Sequence, residues 1–133
     1  MNITYKDAVK VLEAAVAKAN ALNIPVSISI VDNGGHLVSF ARLDSVYGVV
    51  DFAMKKARTA AMFGVDSDVM GIIIADAELH AQGMTNANGG LLTIAGGVVI
   101  KNKEGKTIGA IGSSGGTPEQ DREVAMAGVA AIA

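Results

Sequence analysis

The residue types best suited to chemistry gather where a glycine-rich turn meets a helix start, in Gly112-Ser113-Ser114-Gly115-Gly116-Thr117-Pro118-Glu119-Gln120. Thr117 reads as an N-cap, Pro118 as the first helical residue and Gln120 as the return partner of a capping box. Glycines free to take positive φ, followed by the unsatisfied first N–H groups of a helix, make a turn that can receive an anion. They equally make a tight strand-to-helix corner. The spacing matches neither Gly-x-Gly-x-x-Gly nor a Walker motif, and Glu119 competes with any anion for the same helix dipole.

Lys55, Lys56 and Arg58 form the only close basic group. Lys56 interrupts an apolar stripe of Phe52, Ala53, Ala60 and Phe63, with Thr59 three residues on. Its ammonium either snorkels to the edge of the core or stands at a cleft to hold a carboxylate or phosphate. The histidines are His36, after Asn33-Gly34-Gly35, and His80. Neither belongs to a zinc-binding spacing, although a single histidine can ligate haem iron or act as an acid or base. Ser113 and Ser114 lack a nucleophile elbow, and the absence of cysteine excludes thiol catalysis and cysteine-held clusters.

The elements that must position these residues can be read in order. A capped helix runs from Thr4 to about Leu22, with Val9, Leu12, Val16 and Ala19 at helical spacing. Val26 to Asp32 alternates with period two, Asn33-Gly34 turns, and His36 to Leu43 resumes the pattern, giving an antiparallel hairpin. A second helix is expected over Val49 to Phe63, stopped by Gly64, and a short third one is capped within Asp66-Ser67-Asp68 and runs to Ile74. Ala75 to Gly90 is the least regular stretch and reads as a binding loop. Leu91 to Ile94 leads to Gly96-Gly97. Val98 to Ile100 and Thr107 to Ile111 then form a second hairpin, and a helix begins at Pro118. This order is that of an α+β sandwich in one domain, residues 1–133.

With 133 residues, half of them hydrophobic but only 4% aromatic, the core must be built from Ala, Val, Ile, Leu and Met. A net charge of −2 leaves no basic footprint for nucleic acid. The first residues carry no signal-peptide pattern and no long uncharged apolar run suits a membrane, so the expectation is a soluble, cytoplasmic chain.

Four segments taken together carry a resemblance: Val31-Asp32-Asn33-Gly34-Gly35-His36-Leu37-Val38-Ser39-Phe40-Ala41-Arg42-Leu43-Asp44, Lys56-Ala57-Arg58-Thr59-Ala60, Ala95-Gly96-Gly97-Val98-Val99-Ile100, and Gly109 through Asp121. In this order they resemble the GlcG/HbpS family, which includes the C-terminal domain of PduO-type cobalamin adenosyltransferases. The resemblance implies a profilin-like α-β-α sandwich, an antiparallel sheet of about five strands flanked by helices. It further implies tetramers to octamers, haem binding in several members, and neighbours in glycolate, diol and corrinoid metabolism. Haem ligation in PduO-type domains is associated with a first-helix histidine, and Thr4 to Leu22 contains none. The pocket motifs are therefore carried over without an axial ligand.

Three functions follow as expectations. The first is an oligomer binding a small anionic ligand or a tetrapyrrole such as haem, with His36, Lys56, Arg58, Thr59, Gly96, Gly97, Gly115, Gly116 and Glu119 around the pocket. The second is an enzyme on a small hydroxy- or oxo-acid, with His36 as acid or base and Lys56 holding the carboxylate. The third is an assembly module accessory to diol or corrinoid metabolism, whose apolar surface, at a mean hydropathy of +0.40, serves oligomerisation alone.

Overall fold

A computed structural model describes residues 1–133, apart from the side chain of Gln82. Four strands, β1 (Ser27–Asp32), β2 (Leu37–Arg42), β3 (Gly97–Lys101) and β4 (Thr107–Ser114), form one antiparallel sheet in the order β2-β1-β4-β3. The helices are α1 (Tyr5–Leu22), α2 (Gly48–Phe63), α3 (Ser67–Asp76), the short α4 (Ala81–Thr85) and α5 (Pro118–Ala130). None of them is long and apolar enough to cross a membrane among the described residues.

The period-two pattern of β1 divides the core. Ile28 and Ile30 join Ile111, Val98 and Ile100 beneath α1 and α5, while Val31 and Ala110 pack against Ala57, Ala60 and Ala61 of α2. The α1 contribution is centred on Ala8, Val11, Ala15 and Ala19, with Leu12 and Val16 only partly buried against it. The expected stripe is thus rotated, because alanines let the helix backbone approach more closely than larger side chains would.

The sheet has four strands rather than about five. Leu91 to Ile94 forms no ladder because its backbone groups are satisfied by side chains: Leu92 N donates to Thr59 Oγ1 at 3.1 Å, and Ser67 Oγ donates to Ile94 O at 2.7 Å. The stretch from Ala75 to Gly90 also differs from expectation, holding α4 and single turns over Glu78–His80 and Ala87–Gly89. The first hairpin is present, but it is Gly35 (φ 84°) that takes positive φ, and its N–H closes the turn onto Asp32 O at 3.0 Å.

Gly112 lies inside β4 rather than in the turn after it. A Cβ there would collide with the Ala53 carbonyl oxygen, and one at Gly97 would collide with the Lys56 carbonyl. Helix α2 therefore rests its backbone directly on the sheet. Just beyond that end of β4 the expected capping box is complete: Gln120 N donates to Thr117 Oγ1 at 3.2 Å and Thr117 N to Gln120 Oε1 at 3.0 Å. Thr117→Ala should cost about 1 kcal/mol, measured as a shift in urea midpoint at unchanged slope.

Candidate functional site

Helix α2 carries Lys56 to the end of β4, where the residue is 1% exposed. Its Nζ donates to Ser113 O at 3.0 Å and to Asp121 Oδ2, in the first turn of α5, at 3.1 Å. The other carboxylate oxygen of Asp121 accepts from Gly116 N at 2.9 Å. The glycine turn and the lysine do bind an anion, and that anion is the protein's own Asp121. Burial pushes the Lys56 amine below its ordinary range, and the neighbouring carboxylate opposes that shift.

Glycines make room for this arrangement. Gly96, at φ 128°, stands where a Cβ would run into Ser113 O and lie 3.0 Å from Lys56 Nζ and 3.1 Å from the Asp121 Cβ. At Gly115, with φ 135°, an added Cβ would lie 2.6 Å from the Pro25 carbonyl oxygen. In front of the pair opens a cleft of about 270 Å³, walled by Val49, Phe52, Ile94 and Pro118 with Ser114, Gly115 and Gly116. It lies just below the usual size of small-molecule sites, roughly 300–1,000 Å³. A larger depression of about 490 Å³ near Asn20, Asn23 and Asp44 contains none of the expected residues. Its Arg42 is committed to Ser45 O at 2.9 and 2.7 Å, so the smaller cleft is the better chemical candidate.

His36 belongs to a second place. Asp32 Oδ1 accepts from Gly34 N at 2.9 Å and His36 N at 3.0 Å, and the imidazole Nδ1 lies 3.2 Å from the same oxygen. Desolvation would raise the Asp32 carboxyl, but the His36 and Gly34 backbone donors and the imidazole together hold it below its ordinary range. The stabilisation this gives is present above that ordinary range and is lost as pH falls through the lowered value. With Nδ1 held by the carboxylate, Nε2 is the free ligating atom on a side chain 81% exposed. The half-buried Arg58 packs beside this turn, its Cγ 3.5 Å from a Cβ position on Gly35, and it forms no ion pair among the described residues.

The expected residues therefore separate into two groups. Lys56, Gly96, Gly97, Gly115 and Gly116 meet at one end of β4, while His36 and Arg58 meet at the hairpin. Asp32, which holds His36, and Ile28, the β1 partner of Ser113, are four residues apart, or about 13 Å along the strand. An acid–base His36 and a carboxylate-holding Lys56 do not share a cleft. Thr59 is buried and serves Leu92, while Glu119 and His80 are exposed. Sequence reasoning missed Asp121 as the partner of Lys56. It also missed Asp32 as the group that orients His36. No group of three or more His, Asp or Glu suited to a metal ion occurs among the described residues.

The chain is 37% identical over 125 residues to an uncharacterized 15.0 kDa protein from the dhaT-dhaS intergenic region of Citrobacter freundii, which spans 92% of this chain and 87% of that protein. It is 34% identical to the corrinoid adenosyltransferase PduO of Citrobacter freundii over 99% of this chain, but spans only 39% of that longer protein. Among solved structures, the PduOC–haem complex superimposes with a TM-score of 0.85 at 29% identity, covering 99% of this chain and 96% of that one. A double mutant of Streptomyces reticuli HbpS reaches a TM-score of 0.90 at 27% identity, covering all of this chain and 88% of that one. The family model described as haem degrading protein HbpS-like matches residues 3–130, and the chain belongs to that HbpS-like family.

Proposed function

We propose that the chain is a haem-binding protein working as a tetramer to octamer, in which His36 would hold the iron and Arg58 would partner a haem carboxylate. The observation that carries this reading is the His36–Asp32 pair, an imidazole with its proton held at Nδ1 and its Nε2 free at the surface. The cleft beside Lys56 does not fit haem: its lining has no His, Met, Cys or Tyr, it is small, and its ammonium is already paired with Asp121. The hairpin fits, because it offers one nitrogen ligand and one uncommitted guanidinium. When bound, haem supplies redox and small-ligand chemistry at its iron; His36 and Arg58 hold and orient it.

An exposed ligand can bury only one side of a flat macrocycle, so a second surface must close the site. Val46 and Tyr47, 73% and 84% exposed, supply apolar area for association. Membership of the HbpS-like family and likeness to the PduOC–haem complex support the same reading. Native mass spectrometry of the protein mixed with haemin is expected to show a multimer of four or more chains that retains haem. A monomer, or a multimer that carries no haem at micromolar haemin, would reject the proposal.

A further inference from the structure

We infer that the cleft beside Lys56 is a covalent site for a small neutral aldehyde or ketone, held as an imine on the Lys56 amine. This site is separate from the hairpin and stands whether or not haem binds there. Lys56 is the buried lysine of the described chain, and it is one of the residues that line the cleft. An ammonium has three N–H groups, and the protein provides acceptors for two of them, Ser113 O and Asp121 Oδ2. The third is left for an oxygen in the cleft.

Charge selects the class of occupant. Asp121 already neutralises Lys56, and the Gly116, Thr117 and Gln120 N–H groups are satisfied by side chains of the same turn. A free carboxylate would sit beside the Asp121 charge. A neutral carbonyl compound instead presents one acceptor oxygen and an apolar remainder, which suits Val49, Phe52 and Ile94. Burial lowers the amine's proton affinity, as in lysines that form Schiff bases.

The chemistry balances within this set of groups. The ammonium gives a proton to Asp121 Oδ2, 3.1 Å away, and the freed lone pair attacks the carbonyl carbon. A C–N bond forms, the carbonyl π pair moves to oxygen, and Asp121 returns its proton to that oxygen. Asp121 then takes a second proton from nitrogen and delivers it to the hydroxyl, which leaves as water. The products are a protonated imine on Lys56, one water and an Asp121 carboxylate unchanged overall, with no oxidant or reductant consumed.

Propanal with sodium cyanoborohydride, followed by peptide mapping of the intact protein's digest, tests the site. The hydride reagent fixes any imine as a propyl amine, and the half-buried neighbour Lys55 is an internal reference. Lys56 is expected to be alkylated roughly tenfold faster than Lys55, and Asp121→Asn, which keeps the shape but not the proton relay, is expected to abolish that preference. Alkylation confined to Lys55 and the exposed lysines, with Lys56 protected, would overturn the inference. Should Asp121→Asn not fold, the wild-type ratio alone decides.

Discussion

Asp121→Ala is expected to remove about 3–5 kcal/mol of folding stability, the largest loss from any single side chain outside the apolar core. The ammonium of Lys56, 1% exposed, would remain in the interior with only the Ser113 carbonyl to face. The pair also joins α2, on one face of the sheet, to the start of α5, on the other, and the same carboxylate holds the Gly116 N–H. Losing it therefore loosens both helices and the turn between β4 and α5. Urea denaturation checks the magnitude, and the double variant Lys56→Met with Asp121→Leu supplies the contrast. Replacing the whole pair by apolar groups is expected to be far milder than removing one charge, because no ion is then left without a partner. A loss below about 1 kcal/mol for Asp121→Ala would mean that the lysine reaches solvent at little cost.

Gly112→Ala is expected to destabilise by about 3 kcal/mol, at the upper end of what overpacking costs. The obstacle is backbone: the new methyl would meet the Ala53 carbonyl oxygen and come within 2.8 Å of the Ala57 nitrogen. A flexible side chain could turn aside, but α2 can only translate away from β4, opening the Ala57, Ala60 and Ala61 contact as it does so. Gly48→Ala is the control, since nothing lies within 4 Å of that position and it sits at the start of α2. There the added methyl is expected to leave stability within about 0.5 kcal/mol. Equal losses at both positions would refute the close approach of helix and sheet.

Local signals were the legible part of this chain. Thr117-Pro118-Glu119-Gln120 gave the start of α5 to the residue, and Gly64 marked the end of α2, because caps and stops depend on neighbours in sequence. The hairpin of β1 and β2 was legible for the same reason. What escaped was the product of contacts between distant residues. Lys56 looked like a cation available to a ligand, and only the fold brings it to Asp121, 65 positions away. Gly112 looked like part of a turn, because a glycine required by a passing helix has the same letter as one required by positive φ. The fifth strand implied by the resemblance is absent, and in the stretch before β3 Thr59 and Ser67 hold the backbone of Leu92 and Ile94. One pocket was expected where the structure has two places. The distance between His36 and Lys56 along the sheet is set by strand register, which single-sequence patterning does not reveal.

The role of the hairpin imidazole can be measured directly by removing and returning it. His36→Ala leaves an open surface position, because the side chain is 81% exposed and touches only its own turn. The account predicts that haemin added to this variant gives no protein-bound Soret band, and that free imidazole together with haemin restores the band seen with the unmodified chain. Undiminished haem binding by His36→Ala in the absence of imidazole would contradict it.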